Sequence, residues 1–230
     1  MAYRLGHNME TPTQKLSAAI ADNESRLDEY IERASTIGQR VPGWSRHFHY
    51  LFFKSWLDAF PEAKTVLILG VYLGRDISFM LDAAKGRALQ VVGVDKFNAQ
   101  PCDDWPEEKR GMTWEQAFNC QPPDAKKALA NINPQDPHQV RLIEADDAVW
   151  LPAVQGQFDL VYIDTSHDLA TVARQIKQVR PLCHANTIIA GDDYANGEAY
   201  WQVRQAVSEG FNSHQVLAGM IWFAGAEDFA

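Results

Sequence analysis

The stretch TVLILGVYLGRDISFMLDAAKGRALQVVGVD, residues 65–95, decides the fold that we predict for this chain. Its pattern predicts an apolar strand, a turn bracketed by Gly70 and Gly74, an amphipathic helix, and a second strand that ends at Asp95. Such a βαβ unit places the glycine turn and the carboxylate at neighbouring strand ends. Units of this kind hold nucleoside-bearing cofactors, because small residues let ligand atoms approach the backbone and the acid accepts hydrogen bonds from ribose hydroxyls.

The composition is that of a globular protein with one well-filled core: 230 residues, 46% hydrophobic and 22% charged. The net charge of −9 argues against nucleic acid or an anionic membrane as partner, since no basic cluster is present to neutralise phosphates. The amino terminus lacks an apolar signal segment, and no run approaches the roughly 20 apolar residues of a membrane span. The three cysteines, Cys102, Cys120 and Cys183, lack metal-ligand spacing, and their odd number fits a reducing compartment. We therefore expect a cytoplasmic protein with a small-molecule substrate.

Residues 1–55 are expected to form a helical cap or lid that lies outside the sheet. A capping box with proline in the first turn begins at Thr11, and Gly38 is the expected stop. Between them an apolar stripe at helical spacing predicts one amphipathic helix or a broken pair. The residues of this stripe are Leu16, Ile20, Leu27, Ile31 and Ala34. We expect the stripe to pack on its own domain; the alternative is a contact between two copies in a homo-oligomer.

The pattern of residues 56–230 predicts one α/β domain. Apolar runs without polar alternation indicate buried strands of a parallel sheet, with helices between most of them. These runs lie near 65–69, 89–94, 139–143, 158–163 and 187–190. The tail SHQVLAGMIWFAG predicts two short strands about a turn at Gly219. We therefore expect a doubly wound, mostly parallel seven-stranded sheet with an antiparallel edge hairpin and an N-terminal helical extension.

Helices are predicted after Gly74, from a cap at Asp168 to just before Pro181, and from near Asn196. The connection 96–138 is longer than a normal crossover, and only 123–132 within it has a convincing helical pattern. Its aromatic residues Trp105, Trp114 and Phe118, together with the aromatic stretch 41–55, predict the walls of a substrate pocket. The alternative, that these rings only cover a face of the sheet, stays open.

The glycine turn discriminates between cofactors. A dinucleotide fingerprint has a glycine at the position of Tyr72, under the pyrophosphate, and a third glycine that this chain lacks. A cofactor without phosphates tolerates the tyrosine better.

At this point the chain resembles the class I S-adenosylmethionine-dependent methyltransferases, over about residues 56–230. ILGVYLG is similar to their first motif, Asp95 to their ribose-binding acid, and IEADDA to the segment whose aspartate, here Asp146, meets the adenine edge. FDLVYID and TIIAGDDY are similar to their fourth and fifth strands, whereas Ile68 replaces an acid that is usual before the first glycine. The resemblance implies a Rossmann-like methyltransferase fold and S-adenosyl-L-methionine as cofactor. The implied cofactor-binding residues are Gly70, Tyr72, Gly74, Asp95, Asp146 and Asp147.

Three further carboxylates follow later strands. Asp164 ends the fourth strand, and Asp192 and Asp193 end the fifth; these strands are neighbours in the order that the resemblance implies. Carboxylates so close together repel one another unless a cation is present or one is protonated. Oxygen ligands select a hard divalent ion, here Mg²⁺. The spacing is similar to that of catechol O-methyltransferase and of the metal-dependent sugar O-methyltransferases of macrolide and aminocoumarin biosynthesis. The alternative is that Asp192 caps a turn, Asp193 is solvated and Asp164 contacts loop backbone.

His167 is the candidate catalytic base, with Asp164 as the other catalytic candidate. The place of His167 after the fourth strand is similar to that of the base-bearing lysine of the catechol enzyme. A neutral imidazole takes a proton near neutral pH. The alternative is that His167 orients the loop or Asp164. His47 and His49 are expected to face opposite sides, so we predict no shared metal site there. The sequence thus predicts Mg²⁺-dependent O-methyl transfer to a hydroxylated small molecule in natural-product biosynthesis. A metal-independent methyltransferase, a nicotinamide-dependent oxidoreductase and a non-catalytic binding module remain as alternatives.

Overall fold

The computed structural model describes residues 10–98, 107–109, 111–135, 137–195 and 201–230. The described residues form a seven-stranded sheet in the order β3-β2-β1-β4-β5-β7-β6. Its strands are β1 (Thr65–Leu69), β2 (Gln90–Asp95), β3 (Gln139–Glu144), β4 (Phe158–Ile163), β5 (Cys183–Gly191), β6 (Gln215–Leu217) and β7 (Ile221–Gly225). β1 to β5 pair in parallel, and β7 is antiparallel to both β5 and β6. The predicted mostly parallel sheet with an antiparallel edge hairpin is confirmed.

The helices flank this sheet. They are α1 (Pro12–Glu24), α2 (Leu27–Arg40), α3 (His47–Ala59), α4 (Arg75–Ala83), α5 (Trp114–Phe118), α6 (Ala125–Ile132), α7 (Asp147–Trp150), α8 (Leu169–Val179) and α9 (Trp201–Gly210). Thr11 makes the predicted capping box of α1, and Asp168 caps α8 by accepting from the Thr171 N–H. The predicted helix start at Asn196 lies outside the described residues, as does Trp105.

The N-terminal helical segment is a broken pair, and part of its predicted stripe is wrong. The break at Ser25–Arg26 starts a new helical phase, so Tyr30 is 1% exposed and Ile31, predicted to face inward, is 42% exposed. The second helix also continues to Arg40, two residues beyond the predicted stop at Gly38.

Two cores lie on the two faces of the sheet. One face packs against α1 to α4 and α6, and the other packs against α8 and α9. α3 contributes a nearly continuous run of buried residues, from His49 to Phe53, to the first core. The N-terminal helices therefore share their core with the sheet, which holds α3 against one face of it. No helix in the described ranges has the length and apolar character that crossing a bilayer requires.

The described part of the long connection between β2 and β3 contains an α-helix that the sequence pattern did not predict. In addition to α6, the short helix α5 forms behind a capping box at Thr113. Five residues are too few to give a periodic apolar signal, which is why the pattern did not indicate this helix.

Candidate active site

The glycine turn after β1 is determined by packing within the protein. Gly70 and Gly74 have φ of +85° and +89°, in the left-handed region. A Cβ on Gly70 would lie 1.7 Å from the carbonyl oxygen of Asp164, and one on Gly74 would lie 2.6 Å from Cγ1 of Ile132. The space on the Cβ side of both glycines, which we expected a ligand to use, is filled by the protein itself. What the turn offers a ligand is its backbone.

Asp95 connects β2 to this turn. Its Oδ2 accepts the N–H groups of Val71 and Tyr72, both at 2.8 Å, and its Oδ1 accepts the N–H of Phe97 at 2.8 Å. The predicted neighbouring positions of the glycine turn and Asp95 are thus observed. The carboxylate supports the turn in addition to any role with ribose, and Oδ1, which accepts only one N–H, has a second lone pair available to a ligand.

Asp146 and Asp147 follow β3 and point in different directions. Asp146 caps α7 by accepting the Ala148 N–H at 2.9 Å and pairs with Lys96 at 3.1 Å. Burial raises the pKa of Asp146, but these two partners outweigh it and lower the pKa. Asp147 instead pairs with Arg174 at 2.9 Å and accepts from Gln175 at 3.0 Å, which ties α7 to α8. Asp146 contacts Lys96, the residue that follows β2, whereas the contacts of Asp147 are with α8.

The three predicted metal-ligating carboxylates come together. Asp164 follows β4 and Asp192 and Asp193 follow β5, and one carboxylate oxygen from each lies within 4.8 Å of the others. The Oδ1 atom of Asp192 is buried and has no hydrogen-bond partner among the described residues. Asp193 has a φ of +65°, a conformation that aspartate adopts more readily than most residues.

The electrostatics of this group, which we call the acidic cluster (Asp164, Asp192 and Asp193), fit a cation. Burial raises the pKa of Asp164 well above its usual range, and the charges of Asp192, Asp193 and Asp76 raise it further. A hard divalent cation would relieve this repulsion and supply the missing partner of Asp192 Oδ1. Because the donors are all oxygen atoms, the residues present fit Mg²⁺ or a similar ion.

His49 is a site residue that the sequence interpretation missed. It is 1% exposed, and its Nε2 lies 2.8 Å from Oδ2 of Asp192, across 143 positions of the chain. His47, at the start of α3, lies with its ring 4.1 Å from that of Phe48. Because the two partners are so far apart in the sequence, no local pattern could predict that His49 pairs with Asp192.

The protonation of His49 is set by two opposing influences. Burial lowers its pKa, but the hydrogen bond to Asp192 and the charges of the nearby carboxylates outweigh this and raise it. The backbone N–H of Arg46 opposes the doubly protonated form of the ring, because it donates to Nδ1 at 3.0 Å. A proton on Nδ1 would face that N–H directly, so the contact assigns a neutral ring with its proton on Nε2.

Asp76, in the first turn of α4, is a second residue that was missed. It is 8% exposed, its Oδ1 is buried without a hydrogen-bond partner among the described residues, and burial raises its pKa; its charge in turn raises the pKa of Asp164. An acid beside the inward-facing Ile77 was the signal that could have revealed it, because charged residues are rarely fully buried without a function or a partner.

His167 contacts Asp193, whereas Asp164 is the carboxylate that it would orient in the alternative interpretation. Its Nε2 lies 2.8 Å from Oδ2 of Asp193, and its side chain is 42% exposed. It therefore borders the acidic cluster on the solvent side. Its role as a base stays a prediction.

Four aromatic rings meet beside the glycine turn. Trp44 lies 4.8 Å from the ring of Tyr72, which stacks on Trp114 at 5.8 Å, and Phe118 lies 5.4 Å from Trp114. The Tyr72 hydroxyl donates to the carbonyl of Gln121 at 2.7 Å. None of these four rings belongs to the core on either face of the sheet, and Trp44 is 56% exposed. This aromatic cluster (Trp44, Tyr72, Trp114 and Phe118) therefore supports a pocket wall over a simple cover of the sheet. For the rest of the stretch 41–55 the pocket prediction is wrong, because Tyr50, Phe52 and Phe53 are buried in the core against the sheet.

A protein family described as "Methyltransferase domain" matches residues 67–194, more than half of the chain. This chain belongs to that methyltransferase family. The membership confirms the predicted class I S-adenosylmethionine-dependent methyltransferase and argues against the nicotinamide-dependent oxidoreductase. The matched residues of this methyltransferase include the glycine turn and the acidic cluster, whereas Trp44 and His49 lie outside them.

Solved structures share the fold. The O-methyltransferase NovP is 12% identical with a TM-score of 0.63, covering 88% of this chain and 98% of its own. The calicheamicin methyltransferase CalS11 is 15% identical with a TM-score of 0.56, covering 86% and 91%. The SAH-bound methyltransferase PaMTH1 of Podospora anserina is 18% identical with a TM-score of 0.52, covering 97% and 98%. No curated protein sequence matches this methyltransferase.

Proposed function

We propose that this methyltransferase transfers the methyl group of S-adenosyl-L-methionine to a hydroxyl oxygen of a small molecule, with a bound Mg²⁺ or similar cation. The observation that carries the proposal is the contact between the two halves of the site. The backbone carbonyl of Asp164 packs so closely against Gly70 that no Cβ fits between them. The acidic cluster thus begins directly beside the turn that would hold the cofactor.

The cofactor site in this proposal consists of backbone and carboxylates. The turn from Gly70 to Gly74 presents its backbone, Asp95 at the end of β2 accepts from ribose hydroxyls, and Asp146 at the end of β3 faces the adenine. Support comes from PaMTH1, a neighbour of the same fold that is SAH-bound. S-adenosylmethionine brings the methyl group on a charged sulfonium, so the chain needs only to place an oxygen nucleophile in line with it.

The cation in this proposal is held by Asp164, Asp192 and Asp193. A hard cation in such a site lowers the pKa of a hydroxyl and fixes its orientation. Nε2 of His167 donates to the carboxylate of Asp193 at the edge of the cluster, so the ring atom that would accept the hydroxyl proton is Nδ1, and the resulting imidazolium would stay paired with Asp193. Asp164 is the second candidate for that proton.

The acceptor class follows from the aromatic cluster. A half-exposed tryptophan, Trp44, forms a wall that suits an apolar or planar scaffold, and adjacent hydroxyls would bind best beside the acidic cluster. Sugars, phenols and polyketides all carry such groups. A role in natural-product biosynthesis is supported by CalS11, a calicheamicin methyltransferase with the same fold.

The experiment combines binding and turnover. Calorimetry should show SAH binding to wild-type protein and to Asp192→Asn with affinities within about twofold of each other. Methyl transfer to a panel of catechols and vicinal-diol glycosides, followed by mass spectrometry, should require Mg²⁺ and fall by about a hundredfold or more in the variant. Activity that persists in EDTA and in Asp192→Asn would favour the metal-independent enzyme. SAH binding without turnover of any acceptor would favour the binding module.

A further inference from the structure

We infer that His49 is the positioning residue for Asp192, so that the N-terminal helix α3 forms part of the cation site. This inference rests on the cation site proposed above. It adds a residue from outside the stretch that the methyltransferase family shares, because His49 precedes residue 67. The contact that carries it joins Nε2 of His49 to Oδ2 of Asp192 at 2.8 Å.

The backbone determines which way this hydrogen bond runs. Nδ1 of His49 accepts the N–H of Arg46 at 3.0 Å, so the ring proton lies on Nε2. His49 therefore donates to Asp192, and only one of the two oxygens of Asp192 is engaged. The other, Oδ1, is buried without a hydrogen-bond partner in the described parts of the chain. The donation leaves that oxygen available to a cation held by the acidic cluster.

A neutral donor suits this task better than a cationic one. A lysine or arginine at this place would neutralise Asp192 and compete with the ion, whereas a neutral imidazole fixes the rotamer and leaves the carboxylate charge in place. Burial of both partners, with the Asp192 side chain 12% exposed, excludes the water that would otherwise replace the histidine.

The histidine is itself held firmly. The segment that precedes α3 is anchored to α4 by Arg75, whose guanidinium donates to the carbonyls of Val41 at 2.8 Å and Ser45 at 3.2 Å. The residues of α3 after His49 are buried in the core. A rigid support of this kind is what an oriented ligand carboxylate requires.

The test compares two replacements of similar length. His49→Gln keeps an N–H donor near the position of Nε2, and His49→Met has none. With SAH-saturated protein, calorimetric titration with MgCl₂ should give a Kd about tenfold or more weaker in His49→Met and within about threefold of wild type in His49→Gln. The Kd for SAH, measured in EDTA, should stay within about twofold in both. Thermal unfolding in EDTA reports whether the variants are folded.

The outcomes separate this inference from the proposed function. A wild-type protein that binds Mg²⁺, with the same Kd in His49→Met, overturns the inference alone. Equal weakening in both variants also overturns it, because the donor would then not matter. A wild-type protein that binds no divalent cation overturns the proposed cation site and this inference with it.

A measurement on the wild-type chain covers the case of an unfolded variant. Nitrogen-detected NMR of the histidine rings should show His49 as the neutral Nε2–H tautomer, with a proton resonance that moves when Mg²⁺ is added. An Nδ1–H tautomer, or a resonance that Mg²⁺ leaves in place, contradicts the inference.

Discussion

The carboxylate of Asp95 accepts the backbone N–H of Tyr72 at 2.8 Å, and Tyr72 has a φ of +50°. Left-handed backbone costs a residue other than glycine about 1–2 kcal/mol, so this contact stabilises a strained turn. The same conformation directs the tyrosine ring into the aromatic cluster, where its hydroxyl reaches the Gln121 carbonyl. One carboxylate therefore organises both the predicted cofactor turn and the wall beside it.

Asp95→Asn should weaken cofactor binding by disturbing this turn. The amide accepts the Val71 and Tyr72 N–H groups without the charge, and hydrogen bonds to charged groups contribute about 1.5–3 kcal/mol each. We expect the Kd for SAH to rise by about tenfold or more by calorimetry. An unchanged Kd in a folded variant would show that Asp95 serves neither the turn nor the ribose.

Asp146 and Asp147 should separate into two roles. Asp146→Ala should weaken SAH binding by about tenfold, because it removes the carboxylate at the end of β3 that the adenine would meet. Asp147→Ala should lower the melting temperature and leave the Kd for SAH within about twofold, because Asp147 ties α7 to Arg174 and Gln175. The opposite result would indicate that Asp147, and not Asp146, contacts the cofactor.

Gly70→Ala should be far more destabilising than Gly86→Ala, its matched control. The two glycines have φ of +85° and +82°, so both variants carry the same backbone strain. A Cβ at Gly86 meets no atom within 4 Å, whereas one at Gly70 would lie 1.7 Å from the Asp164 carbonyl. We expect Gly86→Ala to cost about 1–2 kcal/mol in urea unfolding and Gly70→Ala about 3 kcal/mol more, or to prevent folding. Equal losses would mean that β1 and β4 are not packed this closely.

Asp159 should contribute stability that depends on pH. Burial raises its pKa, but hydrogen bonds from the Lys64 and Thr65 N–H groups, the Thr65 hydroxyl and His184 outweigh this and lower it. A lowered pKa means that the ionised form stabilises the fold above the unfolded-state value of about 3.9 and that this contribution is lost as the pH falls below it. Asp159→Asn should therefore lower the free energy of unfolding at about pH 7 by roughly 1.5–3 kcal/mol and by much less at about pH 3. A difference that does not depend on pH would contradict this.

Trp44→Ala should weaken binding of the methyl acceptor and leave binding of the cofactor unchanged. With an acceptor identified from the panel, we expect its KM to rise by about tenfold, because a half-exposed indole contributes binding surface without supporting either core. The Kd for SAH should stay within about twofold. An unchanged KM in the variant would indicate that the aromatic cluster is structural and does not contact the acceptor.

The fold of this methyltransferase followed from residues that are close together in the sequence. Apolar runs, the turn between Gly70 and Gly74 and the cap at Asp168 are local signals, and each formed the element that its pattern indicates. Their consequence at longer range was also predictable. Carboxyl ends of parallel strands meet at one edge of the sheet, and the family resemblance implied that the fourth and fifth strands are neighbours, so Asp164, Asp192 and Asp193 were expected to lie together.

What only the tertiary structure decided was which side chains reach that edge from elsewhere. Tyr30 replaced Ile31 in the core because a break between α1 and α2 changed the helical phase. His49 pairs with Asp192 because α3 crosses beneath the sheet, and a contact over 143 positions has no periodicity to reveal it. The hydrophobic pattern specifies which face of a helix is buried. The packing of that face against the sheet determines which polar side chains of the helix lie at the site.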